Sequence, residues 1–355
     1  MASNTKNKFT VSSIFRNQLF IPIAALFLLV LFNLIVNPSF YGLEWRVTNY
    51  GDKILYGNLI NILSDGSELA ILAIGMTLVT AATGGQDISV GAAIAIAGSV
   101  ILRIFTTTNA PVIVAFLVAC VVAMLFGAFN GVLVAVFKIQ PMVATLILFT
   151  AGRSVARWIS LGVNYNVSDP SYRVFGSIIS GIPIPTPFFI AVLCVVAIAL
   201  VLKFTTLGLY AQSVGINESS SKLNGLNPVF IKILTFVILG LCVAVCGLIK
   251  TSRVMGINYG TIAKDIEMDA ILAVALGGNA LSGGKFNMAA SILGAYVIQF
   301  LTTTLYSQNI PSEALPAYKA VVVIMLVVFS APTVKEYMGK LGKKIQAKIS
   351  SKEVA

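Results

Sequence analysis

The chain contains no histidine among its 355 residues. That absence removes paired-histidine zinc sites, serine–histidine dyads and histidine proton relays together. Charge is nearly as scarce: 10% of the residues are charged against 57% hydrophobic, and the mean hydropathy is +0.93. Soluble domains carry about 25% charged residues, so a soluble fold is excluded. The four cysteines, Cys120, Cys194, Cys242 and Cys246, all lie in apolar runs, where a reduced thiol behaves as a small hydrophobe. No disulfide framework is expected. Cys242 and Cys246, one helical turn apart, make a poor metal site without a histidine.

A nucleotide-hydrolysing loop is also missing. The segment "GGNALSGGKF" invites that reading, but a G-x-x-x-x-G-K-[ST] loop would need glycine at Asn279 and a hydroxyl at Phe286. No basic soluble patch suits nucleic acid, so none is expected as a partner. The net charge of +11 points instead to anionic lipid head groups.

What the chain does have is apolar runs. A hydrocarbon core of about 30 Å takes roughly 20 helical residues to cross, and ten runs qualify as candidates: 19–36, 68–84, 87–105, 112–137, 142–161, 187–203, 229–250, 267–282, 288–306 and 316–332. The expected fold is all-α, a polytopic integral membrane protein of about ten transmembrane helices, some broken or short. The run from Gln18 to Val36 resembles the start of a secretory signal, but it is long for one and "NPSFYG" offers no small-x-small cleavage site. It is read as an uncleaved first span. The organisation expected is a tail over 1–18, a membrane domain over 19–332 with a cytoplasmic segment near 204–228, and a basic tail over 333–355.

Sidedness follows from lysine and arginine near the span ends. With both termini cytoplasmic, fourteen of the 24 basic residues fall inside and nine outside, leaving Arg153 within a span. Nine of the thirteen acids then fall outside. Arg153 either snorkels, pairs with a helix end, or serves a substrate, the first two being favoured.

Two glycine-rich segments interrupt spans. "GGQDISVG" (Gly84–Gly91) places an acid among glycines at the inner end of the second candidate span. One reading makes Asp87 or Ser89 a helix cap. The other makes the segment a broken helix lining a pathway, because irregular backbone survives at membrane depth only beside protein or water. "GGNALSGG" (Gly277–Gly284) partly echoes it and suggests a second, similar interruption with close backbone approach. The polar stretch from Lys203 to Pro228 predicts a short cytoplasmic helix capped by Asn217 or Ser219, with Glu218 at its start and Gly225 at its end. The outer loops Asn37–Asn58 and Gly162–Pro187 hold aromatic residues suited to the membrane interface or to a partner protein.

Four blocks, at 72–98, 129–156, 211–227 and 269–299, together resemble the permease subunits of bacterial ABC importers for monosaccharides, the family of the ribose, xylose, arabinose and galactofuranose transporters. "KIQPMVATLI" with "AGRSVA" is similar to the galactofuranose permeases in particular. The resemblance implies a non-enzymatic chain of the bacterial cytoplasmic (inner) membrane that moves a furanose or related aldose. Its implied partners are a separate ATP-binding subunit, an extracytoplasmic sugar-binding protein and a second permease subunit, as homodimer or heterodimer. No cofactor is expected in this chain, ATP being bound by the partner. Gly215, Asn217 and Glu218 correspond to the ATPase-coupling segment. Gly84, Gly85, Asp87, Ser89 and Gly91, with Gly277, Gly278, Ser282 and Gly283, are the expected moving gate. No catalytic or metal-binding residues are expected. Family members usually carry an aliphatic residue in place of Gln86, so Gln86 is expected to bear on what Asp87 hydrogen-bonds, and Ile216 and Ser219–Ser221 also depart from the pattern. The rival reading is an autonomous channel or secondary carrier for a small polar solute.

Overall fold

Hydrocarbon offers no water to backbone amides and carbonyls, so an apolar run that enters it folds as a helix that satisfies them internally. Each of the ten apolar runs is a helix in the computed structural model, which describes residues 19–47, 53–108, 110–179 and 182–330, with side chains to 325. In chain order the helices are α1 (Phe20–Val36), α2 (Asn58–Thr83), α3 (Val90–Thr108), α4 (Val112–Ala135), α5 (Pro141–Ile159), the single turn α6 (Pro170–Arg173), α7 (Thr186–Phe204), α8 (Leu207–Ile216), α9 (Glu218–Leu223), α10 (Pro228–Val254), α11 (Ile266–Leu276), α12 (Met288–Ser307) and α13 (Leu315–Ser330). The expected tails over 1–18 and 333–355, which carry much of the basic charge, lie outside the described residues.

Among the described residues seven helices, α2, α3, α4, α5, α7, α10 and α12, are long and apolar enough to cross a membrane. The others among the ten are shorter: α1 has 17 residues, α13 has 16 and α11 has 11. At 1.5 Å per residue α11 covers about 16 Å, half the hydrocarbon core. Ten apolar runs are therefore not ten full-length spans. One departure from the all-α expectation lies in the first outer loop, where β1 (Glu44–Val47) pairs antiparallel with β2 (Lys53–Tyr56).

The core is built around α2. Of its most apolar stretch 83% is buried, against 11% for α7, which turns most of its surface outward. Packing of α4 against α10 relies on absent side chains. A Cβ on Gly131 would lie 2.8 Å from the Ile233 Cα, and one on Gly127 would meet the Phe236 carbonyl. Gly127 and Gly131 form the G-x-x-x-G spacing that lets membrane helices approach closely.

Cations counted on the outer side are matched by acids. Glu68 is 1% exposed and pairs with both Lys250 (2.7 Å) and Arg253 (2.7 Å); Arg253 also meets Asp65, and Lys319 meets Asp269 at 2.8 Å. Lys250, Arg253 and Lys319, which run against the sidedness rule, are thus neutralised locally.

Candidate functional site

The first interruption starts where α2 stops. Gly84 takes the left-handed conformation (φ 66°) and its amide donates to the Thr80 carbonyl at 3.0 Å, a glycine C-cap. The chain then turns back toward the bundle interior. The Asp87 amide lies 3.4 Å from the Met76 sulfur, about two turns up α2 from its end. Asp87 is buried, and its carboxylate accepts from the Ser89 amide (2.8 Å), the Ser89 hydroxyl (2.6 Å) and the Asn130 side-chain amide on α4 (3.3 Å). Asn130 also donates to the Ser89 oxygen at 2.8 Å. The Ile88 amide is taken up by the Thr145 hydroxyl at 3.0 Å. Asp87 thus closes a turn on Ser89 just before α3, without accepting from an amide of that helix, and is buried in the protein.

The second interruption follows α11 and has a different shape. In it Gly278, Gly283 and Gly284 have positive φ, whereas Gly277 is right-handed; α12 begins only at Met288, capped by Asn287, whose side chain accepts from the Ala290 amide at 3.2 Å. The sequence echo is not a conformational repeat. Asn279 supplies what Asp87 supplies in the first: its amide donates to the Ser291 hydroxyl (2.7 Å) and its oxygen accepts from the Asn287 amide (2.6 Å).

The two interruptions meet. A Cβ on Gly84 would lie 2.7 Å from the Ser282 carbonyl, and one on Gly283 would lie 3.0 Å from the Gly84 Cα. Gln86 donates to the Leu281 carbonyl at 3.0 Å. It therefore joins the breaks and makes no bond to Asp87, which corrects the role expected of it. Gly85 rests on Pro141 at the start of α5, and Gly277 on Ala290 of α12. Gly91 does not share this junction; it packs on Ala263 and Glu267 from the opposite loop.

The segment between α7 and α10 touches the same junction. Two helices form there, not the single one expected, and a Cβ on Gly215 of α8 would collide with the Ala81 carbonyl and lie 2.8 Å from the Gly284 amide. Asn217 caps α9 by accepting the Ser220 amide at 2.9 Å. Glu218 then bridges Lys138, in the loop after α4, and Lys232 of α10 (2.5 Å). Hydrogen bonds from Lys138, then from Lys232, hold its carboxyl below the usual carboxylate range. Lys138 itself sits at φ 57°, uncommon for a residue with a side chain. Beyond these ties the hairpin presents apolar side chains to solvent, Ile216 at 65% exposure and Leu223 at 89%.

Residues 58–331 match the family described as branched-chain amino acid transport system permease components. The chain belongs to this family. It is 41% identical over 308 residues to the galactofuranose transporter permease protein of Escherichia coli K12, covering 86% of this chain and 87% of that one. Similarity to the fructose import permease protein of Bifidobacterium longum is 36% over 339 residues, or 94% and 93% of the two chains. The ribose import permease protein of Escherichia coli K12 is 36% identical over 274 residues, or 76% and 84%. No solved structure matches the chain.

Within this permease, sequence reasoning missed Asn130, Thr145, Asn279 and Ser291. The signal for Asn130 was present, an isolated amide in the apolar run "MLFGAFNGVLVAVF". Arg153 donates to the Tyr259 (3.1 Å) and Ile262 (2.6 Å) carbonyls of the turn before α11, a backbone pairing in place of the snorkelling or helix-end pairing expected. Among the described residues no cluster of three or more potential metal ligands occurs.

Proposed function

We propose that this permease is the membrane-spanning subunit of an ATP-driven importer that carries a monosaccharide, a furanose or related aldose, across the bacterial cytoplasmic membrane. The observation that carries the reading is the contact of Gly215 with Ala81 and Gly284. Through it the exposed cytoplasmic hairpin abuts both helix interruptions with backbone on backbone. No flexible side chain lies between to absorb a displacement. A partner that moves the hairpin moves the interruptions.

That partner is a separate ATP-binding subunit, docked on Leu223 and on a dimple of about 310 Å³ whose lining mixes Ile216 and Leu226 with Ser213, Asn217, Ser220 and Asn224. ATP belongs to that subunit, since this chain has no phosphate loop of its own. The two interruptions, Gly84–Ser89 and Gly277–Gly283, form the moving gate, and Gly91 seats the opposing loop. A second permease subunit completes the pathway, and an extracytoplasmic sugar-binding protein delivers the solute. Support for a sugar comes from the relatives named for galactofuranose, fructose and ribose.

Uptake of labelled sugar into vesicles tests this, with and without the ATPase, internal ATP and the binding protein. Uptake that needs all components is the expected result. Uptake by the permease alone would replace the reading with a channel or secondary carrier.

A further inference from the structure

At the end of α10 remote from the hairpin, two outer loops are zipped together by backbone bonds, Val167 amide to Met255 carbonyl (2.9 Å) and Ile257 amide to Tyr165 carbonyl (2.8 Å). The zip encloses an open cavity of about 600 Å³ whose lining includes Asn164, Asn166, Asn258, Thr261, Lys250 and Arg253. Small-molecule sites typically measure about 300–1,000 Å³.

The chemistry of the wall is specific. Its two cations are neutralised from behind by Asp65 and Glu68, so the cavity offers no net charge to hold a free anion. Three amide side chains face the space. Among the described residues those of Asn164 and Asn166 have no hydrogen-bond partner, and Asn258 uses only its oxygen, accepting from the Gly260 amide at 3.0 Å. Amides both donate and accept, which suits hydroxyl groups.

The floor is the turn Tyr259–Ala263, held by Arg153 from α5. Ala263 lines the cavity on one side; on the other, its carbonyl oxygen lies 2.7 Å from where a Cβ on Gly91 would stand. Beside it Glu267 is 1% exposed and near the Arg153 charge, yet its Oε2 has no hydrogen-bond partner. A buried oxygen left unpaired is costly, and one directly beneath the floor marks where a solute hydroxyl or water would be accommodated when the floor moves.

We propose that this outer cavity is the site where the permease first takes up its solute, a neutral polyhydroxylated ring, with the Arg153-held turn as its floor. The inference rests on the importer reading and adds the location and chemistry of entry. Asn164→Cys and Asn258→Cys, each in the assembled importer, are exposed to a membrane-impermeant maleimide with and without D-ribose, D-fructose or D-galactose, and with glycerol as control. Labelling in the absence of sugar is expected at both positions. At sugar about ten times its dissociation constant it slows about tenfold, because only the empty fraction reacts; glycerol leaves it unchanged. Thiols that stay unlabelled, or label equally with every sugar, overturn the site. Uptake by the unsubstituted importer is measured in parallel: uptake without protection sinks the cavity alone, protection without ATP-driven uptake sinks the importer reading alone, and neither sinks both.

Discussion

The Gly284 amide donates to the Ala81 carbonyl at 2.9 Å, so the second interruption caps the final turn of the helix that the first one ends. That carbonyl is one of the last four of α2, which have no partner within the helix. Here the partner comes from the other interruption, and Gly215 of α8 abuts the same carbonyl.

Gly283→Ala forces a side chain into a positive φ of 92°, at about 1–2 kcal/mol, and against the Gly84 backbone. Gly215→Ala meets the Ala81 carbonyl directly and is expected to cost more. Thermal unfolding in detergent should rank wild type above Gly283→Ala, and that above Gly215→Ala. Equal melting temperatures would mean that the junction is loosely packed.

Asp87→Ala removes the acceptor for two Ser89 donors and for Asn130. Buried donors left unpaired cost about 1–3 kcal/mol each when they find no water, so a loss of several kcal/mol and of most uptake is expected. Asp87→Asn keeps one oxygen for Ser89 and should retain more of both. If Asp87→Ala unfolds and transports like wild type, the carboxylate has no part in the interruption.

Glu218 carries the pH prediction. Its carboxyl is held below its ordinary value by Lys138 and Lys232, so its stabilising contribution is complete above the unfolded value of about 4.3 and is lost as pH falls through the lower folded value. The stability gap between wild type and Glu218→Gln should be flat above about pH 5 and close below about pH 4. For pairs this exposed the gap is about 0.2–1 kcal/mol. Coupling of uptake to ATP hydrolysis should suffer more than stability does. The exchange Glu218→Lys with Lys138→Glu should restore part of it, leaving a deficit because Lys232 then faces a lysine.

Arg253→Ala leaves Asp65 and buried Glu68 short of a partner. Arg253 is partly exposed, Glu68 keeps Lys250 and Asp65 keeps Gln299, so the loss is about 1–3 kcal/mol. Arg46→Ala, on an exposed pair with Glu44, should cost at most about 1 kcal/mol. Chemical denaturation of the two variants under one condition compares them directly; similar losses would show that the outer network is solvated.

Much was legible because the bilayer constrains so strongly. Hydrocarbon thickness sets run length and its lack of water dictates helix, so ten apolar runs could be marked on ten helices, although α2 begins ten residues before its run and α11 stops six residues short of the end of its own. Local rules also held. Asn217 caps α9, Gly225 adopts φ 80° after it, and Pro228 opens α10 behind Asn227, whose side chain accepts from the Phe230 amide. The extra helix α8 escaped notice because Leu207–Ile216 was read as part of one polar connection, in which only the Asn217 cap marked a helix start.

By itself, then, the amino-acid sequence determined the medium, the helices, the absence of a nucleotide loop and the positions at which helices must break, since each depends on residues close together along the chain. Only the tertiary structure decided that the breaks lie against each other, that they differ in conformation despite similar letters, that Gln86 reaches Leu281 from 195 positions away, and that Gly91 packs against Ala263 and Glu267 away from the junction. These depend on which helix faces are apposed, and in lipid that choice is made by close packing and paired polar groups between distant segments, for which hydropathy along the chain carries no signal.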